Sequence, residues 1–185
     1  SCIKDRKRAI DFIGRININM KVVGEQLEKW AYAQSESDKK DLFGRSAFNR
    51  YYYAAFLITR EMLSKYDVVW KRATHAGIPD LLEGKFMKPI IDRLRIDAKK
   101  NRITDSEMNR LKSELLLATT GLANLLREAY SVRVIADYEP ETAIASMGEV
   151  ISLNSYKLNS ASNWANRASS YCKTIHKVWR DVGLA

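Results

Sequence analysis

The feature that most constrains this sequence is the spacing of its apolar residues, which recur at steps of three and four along most of the chain. That period places them on one side of an α-helix. Glycine and proline, the residues that most often end helices, number only 8 and 3 among 185 residues. The pattern therefore predicts a few long helices, each with one apolar face.

Two long helices are predicted in the first part of the chain. The first spans about residues 4–33, with apolar positions from Ile10 to Trp30 at helical steps. A polar turn follows, in which Ser37 has the chemistry of an N-cap for a second helix that extends to about Tyr66. The apolar stripe of this second helix consists of Phe48, Tyr52, Ala55, Phe56, Thr59, Met62 and Leu63.

The pattern breaks up between about residues 67 and 102. Pro79 is expected to open a short helix, and Pro89 to interrupt or restart it, because proline lacks an amide donor and clashes inside a helix. Thr104-Asp-Ser-Glu107 then has the form of a capping box. It predicts a third long helix that reaches about Arg133.

The last element is predicted to be the longest helix. Apolar and small residues follow alternating three- and four-residue steps from Ile144 to Trp179, a heptad seam of about five heptads. Asp137 is the expected N-cap of this helix, with Pro140 in its first turn, and Gly183 is its expected stop. These elements predict an all-α fold, an antiparallel bundle of four long helices plus one or two short helices, in a single domain over residues 1–185.

Composition excludes several classes of protein. No stretch approaches the roughly 18 consecutive apolar residues of a membrane span, and charged residues interrupt the N-terminus before a signal peptide could form. The two cysteines, Cys2 and Cys172, require no disulfide, and no zinc-ligand spacing exists beside only two histidines. We therefore expect a cytoplasmic protein that has no membrane partner and no metal or cofactor.

The positive charge of the chain is concentrated in one part of it. The net charge is +9, and residues 44–100 hold 12 basic and 6 acidic residues, whereas residues 101–138 hold five of each sign. A local basic excess suits a polyanion such as RNA, or an acidic protein partner. A well-solvated surface that binds nothing is the alternative interpretation.

Three segments together resemble HEPN domains. Asn49-Arg-Tyr-Tyr-Tyr-Ala-Ala-Phe56 resembles the second-helix signature of that family, and Thr74-His-Ala-Gly77 resembles its short loop motif. Arg133-Val-Ile-Ala-Asp-Tyr138 resembles the Arg…Ala-Asp-Tyr element that leads into the last helix. Their order and spacing also fit, so that the resemblance spans roughly residues 6–182.

The resemblance implies a bundle of four to five helices, usually dimeric, from a toxin–antitoxin, phage-defence or nucleotidyltransferase-associated system. Many HEPN proteins are metal-independent endoribonucleases whose motif is an arginine followed shortly by a histidine. The arginine holds the scissile phosphate and the imidazole moves protons near neutral pH. Here Tyr138 stands where that histidine is expected, which leaves open whether the chain is an enzyme. The candidate catalytic residues are Arg133, Tyr138, His75 and Asp137.

Each candidate also has a structural interpretation. Arg133 could form an internal ion pair with Asp137 or Glu128, and His75 could make only a loop hydrogen bond. The candidate RNA-binding residues are Arg50, Arg72, Lys71 and Tyr53, of which Tyr53 could stack on a base if it faces outward. His176 is expected to be a surface or packing residue of the last helix.

Two functions remain open on this sequence. The first is a HEPN-like RNA-directed effector, either a metal-independent endoribonuclease or an RNA-binding protein. The second is a non-catalytic helical interaction module that forms a homodimer or partners a nucleotidyltransferase-type antitoxin or another defence protein. The absent motif histidine and the long small-residue seam favour the second. A bundle that binds a small nucleotide lacks a phosphate-cradling glycine loop and has little support.

Overall fold

The computed structural model describes residues 20–148 and 150–184, which are mostly helical and include a small three-stranded sheet. The first helix, α1, is described over residues 20–33, so its predicted part before residue 20 lies outside the described residues. The other elements are α2 (Ser37–Tyr66), a 3₁₀-helix (Val68–Arg72), α3 (Gly77–Glu83), α4 (Met87–Lys99), α5 (Asp105–Tyr138), β1 (Ile144–Met147), β2 (Val150–Leu153), β3 (Tyr156–Lys157), α6 (Leu158–Ala161) and α7 (Trp164–Asp181).

Helices α2, α5 and α7 pack against one another and enclose the apolar core. Pairs of facing residues give the helix directions: Asn49 with Asp137 and Tyr52 with Tyr130 between α2 and α5, and Glu114 with Lys177 and Gly121 with Tyr171 between α5 and α7. Because the residue numbers run in opposite senses in both pairs, α5 is antiparallel to α2 and to α7. The predicted antiparallel packing is therefore confirmed for these helices.

The predicted helix over residues 144–179 is wrong in its first third. Residues 144–157 form an antiparallel sheet of strand order β1-β2-β3, with Met147 opposite Val150 at its first turn. Gly148 and Asn154 lie in the two turns with φ of 59° and 53°. Glycine and asparagine are the residues that adopt this left-handed conformation most readily. At each of these two turns the chain reverses direction, which a continuous helix could not do.

The predicted heptad seam lies on helices only from Leu158 onward. The seam positions that are buried in α6 and α7 are Leu158, Ala161, Ala165, Ala168, Cys172 and Ile175. By contrast, Met147 is 81% exposed and Asn154 lies on the surface of a turn. The small-residue seam therefore packs inside the bundle, and Gly183, with φ of 68°, follows the end of α7 as predicted.

Helix α5 begins where the capping box predicts, since the Thr104 hydroxyl accepts a hydrogen bond from the Glu107 amide at 3.1 Å. It ends at Tyr138, five residues beyond the predicted end at Arg133. Asp137 therefore lies inside α5 and is not the N-cap of the last helix, as the sequence had indicated. The helix reaches further because Arg45, a residue of α2, donates hydrogen bonds to carbonyl groups at and just beyond its end. Those acceptors are the carbonyl oxygens of Ile135, Ala136, Glu139, Pro140 and Thr142.

The two prolines of the middle segment lie in the first turns of short helices, Pro79 in α3 and Pro89 in α4, as expected for residues without an amide donor. At the start of α2, Ser37 is the first helical residue and Glu36 precedes it as the cap, so the predicted N-cap is off by one position. Over the described residues, no helix has the length and apolarity that a membrane crossing requires.

Candidate functional site

His75 lies in the short segment between the 3₁₀-helix and α3, where its ring enters a group of aromatic side chains. The Phe56 ring stacks on the imidazole with centroids 4.0 Å apart. The residues that surround it are Tyr52, Tyr53, Phe56 and Tyr130. We call these four residues, together with His75, the His75 cluster. Three of the four come from α2 and one from α5, so that the two helices jointly hold the histidine.

One nitrogen of the imidazole is fixed by a hydrogen bond. The Tyr52 hydroxyl and His75 Nδ1 lie 2.5 Å apart, and the Tyr52 side chain is 1% exposed. Burial, and then the neighbouring phenols Tyr130 and Tyr53, raise the pKa of Tyr52 well above its usual range, so this hydroxyl keeps its proton. The bond sets the orientation of the ring. Nε2 makes no hydrogen bond with any described residue.

The electrostatic surroundings of His75 favour its neutral form. Burial lowers the pKa of the imidazole, and the positive charges of Arg133 and Arg60 lower it further. Since the usual pKa of histidine is about 6.5, the lowered value leaves His75 neutral at pH 7. A neutral imidazole beside two arginines can accept a proton from a ligand whose negative charge the arginines attract.

Arg133 lies on α5, one turn before the end of that helix. Its Nε is 2.8 Å from Asp137 Oδ2, although the N–H is not aligned for a hydrogen bond, so the contact is an ion pair. The Asn49 amide donates to both carboxylate oxygens of Asp137, at 2.8 and 2.9 Å. The Arg133 guanidinium also lies over the Tyr138 ring, 5.4 Å from its centroid. Asp137 and Tyr138 thus contact the arginine directly, and Asn49 holds Asp137.

The structure brings the four predicted catalytic residues to one region. Arg133, Asp137 and Tyr138 are in direct contact, and the charge of Arg133 acts on His75. The ion pair of Arg133 with Asp137 is also the structural interpretation considered for the sequence, so the contact alone does not assign a chemical role. With Asn49 and Tyr52 from the first motif, all three segments that carry the HEPN resemblance meet here.

The predicted RNA-binding residues are placed less uniformly. Tyr53 is half-buried and meets the His75 ring edge-on at 5.5 Å, so it belongs to the His75 cluster. Arg50 is partly buried, with its guanidinium 4.0 Å from the Met20 sulfur. Lys71 and Arg72 are exposed in the last turn of the 3₁₀-helix, three to four positions before His75. The structure therefore joins Tyr53 to the site and leaves Arg50 apart from it.

Sequence reasoning missed several residues of the site. Arg60 lies 5.0 Å from the centroid of the Phe56 ring, on the same side of α2 as Asn49 and Tyr53. The spacing of these positions by four, three and four residues could have revealed Arg60. Tyr130, from α5, carries no comparable signal, because its approach to His75 depends on how two helices pack.

The site combines a neutral imidazole, two guanidinium groups and a partly exposed phenol. Those groups can bind an oxyanion and exchange protons with it. Over residues 20–148 and 150–184, no three residues of the metal-ligating kinds, His, Cys, Asp and Glu, lie close enough together to hold a metal ion. Compared with known proteins, the chain matches no family model, no curated protein and no solved structure.

Proposed function

We propose that this chain is a HEPN-like RNA-directed effector that acts as a metal-independent endoribonuclease in a toxin–antitoxin or phage-defence system. The observation that carries the proposal is the meeting of three distant sequence segments at His75 and Arg133. Motifs that serve only to stabilise the fold do not require a neutral imidazole beside two arginines. The arrangement supports chemistry on a phosphate diester.

The proposed reaction uses the 2′-hydroxyl of RNA as its nucleophile. His75 takes the proton of that hydroxyl, and the 2′-oxygen then attacks the adjacent phosphorus. Arg133 stabilises the negative charge that develops on the phosphate oxygens. Tyr138 is 66% exposed beside Arg133 and can donate a proton to the departing 5′-oxygen.

Asp137 and Tyr52 have positioning roles in this proposal. Asp137 links Asn49 to Arg133 and so fixes the direction of the guanidinium. Tyr52 fixes the imidazole through Nδ1. Neither side chain needs to touch the RNA, although the loss of either would misplace a group that does.

The proposal is tested by cleavage of labelled single-stranded RNA in the presence of EDTA. Arg133→Ala should lower the rate by about 10²–10³-fold, the range for loss of a group that stabilises an oxyanion. His75→Gln should lower it by about 10²–10⁴-fold, the usual contribution of a general base. A DNA strand of the same sequence should stay intact, because it lacks the 2′-hydroxyl.

Arg127→Ala is the matched control for Arg133→Ala. Arg127 is on the same helix and is also ion-paired, with Asp80 and Glu83, so the substitution removes the same charge away from the site. Circular dichroism of every variant checks that the fold is retained. Cleavage that requires a divalent ion, or that persists unchanged in Arg133→Ala, would overturn the proposal.

The alternative, a non-catalytic interaction module, has lost part of its sequence support. The small-residue seam that favoured it is buried within the bundle and is not free to bind a partner helix. What remains for it is the absence of the motif histidine and several exposed apolar residues, among them Val68, Val69 and Leu117. Stable association with a co-purified nucleotidyltransferase, without any RNA cleavage, is the result that would favour it.

A further inference from the structure

A second surface lies on the side of α2 that faces away from His75. The residues of α2 that face the His75 site are 49, 52, 53, 56 and 60, whereas residues 58, 61, 62, 65 and 66 line a groove between α1, α2 and α7. Successive helical residues turn by about 100°, so the two sets point in roughly opposite directions. The groove has a volume of about 780 Å³. It is therefore separate from the candidate functional site.

Five basic side chains from three helices line this groove, which we call the cationic groove: Lys21, Lys65, Lys173, Lys177 and Arg180. The acidic residues of its lining are Glu25 and Glu61. Lys173, Lys177 and Arg180 follow one another on α7 at steps of four and three, so they share one face of that helix. The groove consequently has a row of positive charges along one wall.

Part of this charge is already paired within the protein. Three of the five cations form ion pairs: Lys21 with Glu25 at 3.4 Å, Lys65 with Glu61 at 3.8 Å, and Lys177 with Glu114 at 3.0 Å. Lys173 and Arg180 form no ion pair with a described residue. A ligand in the groove can therefore bind these two side chains without displacing an ion pair among the described residues.

The groove extends along most of the length of α7. Its α7 wall runs from Asn166 to Arg180, which is about 21 Å of helix at 1.5 Å per residue. Between the charges the lining is mixed, with the apolar Val22 and Ile58 and the polar Ser169 among its residues. A long groove with charged walls can follow a polyanionic backbone and leave room beside it for bases.

We propose that the cationic groove binds the phosphate backbone of single-stranded RNA, as a second contact surface that holds the strand while the His75 site acts on it. This inference rests on the proposed RNA-directed function. Four of the five cations are lysines, which bind phosphates as point charges.

His176 supplies a spectroscopic marker in the same groove. It is exposed, and its Nδ1 lies 2.8 Å from the Tyr66 hydroxyl. As expected for the sequence, it is a surface residue of α7. Binding of a phosphate strand along α7 would change the environment of its ring.

The test is the affinity of the full chain for a labelled single-stranded RNA, measured by fluorescence anisotropy at several salt concentrations with EDTA present. The variant is Lys173→Gln with Arg180→Gln. Each phosphate contact on a single strand contributes about 0.7 to the slope of log K against log salt. Loss of two contacts should therefore lower the slope by about 1.4 and weaken binding roughly 25-fold at 0.1 M salt.

The matched control is Lys99→Gln with Lys112→Gln, which removes two exposed lysines of α4 and α5 that form no ion pair with a described residue. It should bind RNA like the wild type. Equal affinity of both double variants would overturn the proposal for the cationic groove. The proposal for the His75 site would still stand if Arg133→Ala impairs cleavage. A wild type that binds no RNA would overturn both proposals. Tighter binding of polyglutamate than of RNA, lost in the Lys173/Arg180 variant, would identify an acidic protein as the occupant and overturn the RNA assignment.

Discussion

The junction between α5 and the sheet depends on one side chain, Arg45. Its guanidinium donates to five carbonyl oxygens at and beyond the end of α5, and its Nε pairs with Asp41 at 2.7 Å. The Asp41 carboxylate in turn accepts a hydrogen bond from the Ile144 amide at the first residue of β1. The Arg45 side chain is only 13% exposed, so water cannot readily replace these contacts.

Arg45→Ala should therefore cost far more stability than a surface arginine. Hydrogen bonds to charged groups contribute about 1.5–3 kcal/mol each, but five bonds to one guanidinium are not additive. Removing one partner of a buried ion pair costs about 3–5 kcal/mol, because the other partner keeps its desolvation penalty. We expect a loss of about 3–5 kcal/mol for Arg45→Ala. Arg45→Lys should lose less, since it keeps the charge but not the planar fork.

The assay is urea denaturation followed by circular dichroism, with the midpoint and slope fitted for each variant. Arg50→Ala is the matched control, because Arg50 lies on the same helix and its described contact is with the Met20 sulfur alone. It should change the unfolding free energy by less than about 1 kcal/mol. An Arg45→Ala variant that is no less stable than Arg50→Ala would refute the role assigned to this side chain.

Three further predictions follow from buried groups. The pKa of His75 is lower in the folded chain than the usual value of about 6.5, so as the pH falls the unfolded chain takes up the proton first. Stability should therefore be fully present above about pH 6.5 and should fall as the pH decreases towards the folded-state pKa. His75→Gln should reduce this dependence between pH 7.5 and 5.5, and equal slopes for variant and wild type would contradict the prediction. Gly24→Ala should lower stability by about 1–3 kcal/mol in thermal denaturation, because a Cβ there would lie 2.7 Å from the buried Tyr51 ring. Gly44→Ala should cost less, because its Cβ would come no closer than 3.1 Å, to the Cδ1 atom of Ile144. Burial raises the pKa of the Cys172 thiol to about 12, so in a Cys2→Ser background DTNB should react with it only on unfolding, and prompt reaction of the native protein would contradict the buried placement.

The long helices were predictable because their burial follows one period. In α2, positions such as Phe48, Tyr52 and Phe56 are all buried, as the apolar stripe indicates. The sheet was not predicted, because steps of three and four also run through residues 144–157. A strand signal was present in Val150 and Ile151, which are β-branched, and in the turn residues Gly148 and Asn154. In β2 the buried residues are Ile151 and Leu153, an alternation of two.

The site was only partly predictable, for a different reason. Arg133, His75, Asp137 and Tyr138 were found through a resemblance of short motifs, not through periodicity. Their neighbours depend on tertiary packing, which a single sequence does not encode as a local pattern. Arg45 illustrates this, since nothing in its local sequence indicates that it caps a helix about 90 residues further along the chain.

The central claim is that an RNA phosphate binds between Arg133 and His75, and histidine NMR tests it most directly. The chain has two histidines, so its spectrum contains one ring signal from the His75 site and one from His176 in the cationic groove. The strand to add is the 2′-deoxy analogue of the RNA, which cannot be cleaved because it lacks the attacking 2′-hydroxyl. A bound phosphate should raise the pKa of His75, and Arg133→Ala should abolish that rise while Arg127→Ala preserves it. A His75 signal that titrates identically with and without the strand would contradict the claim.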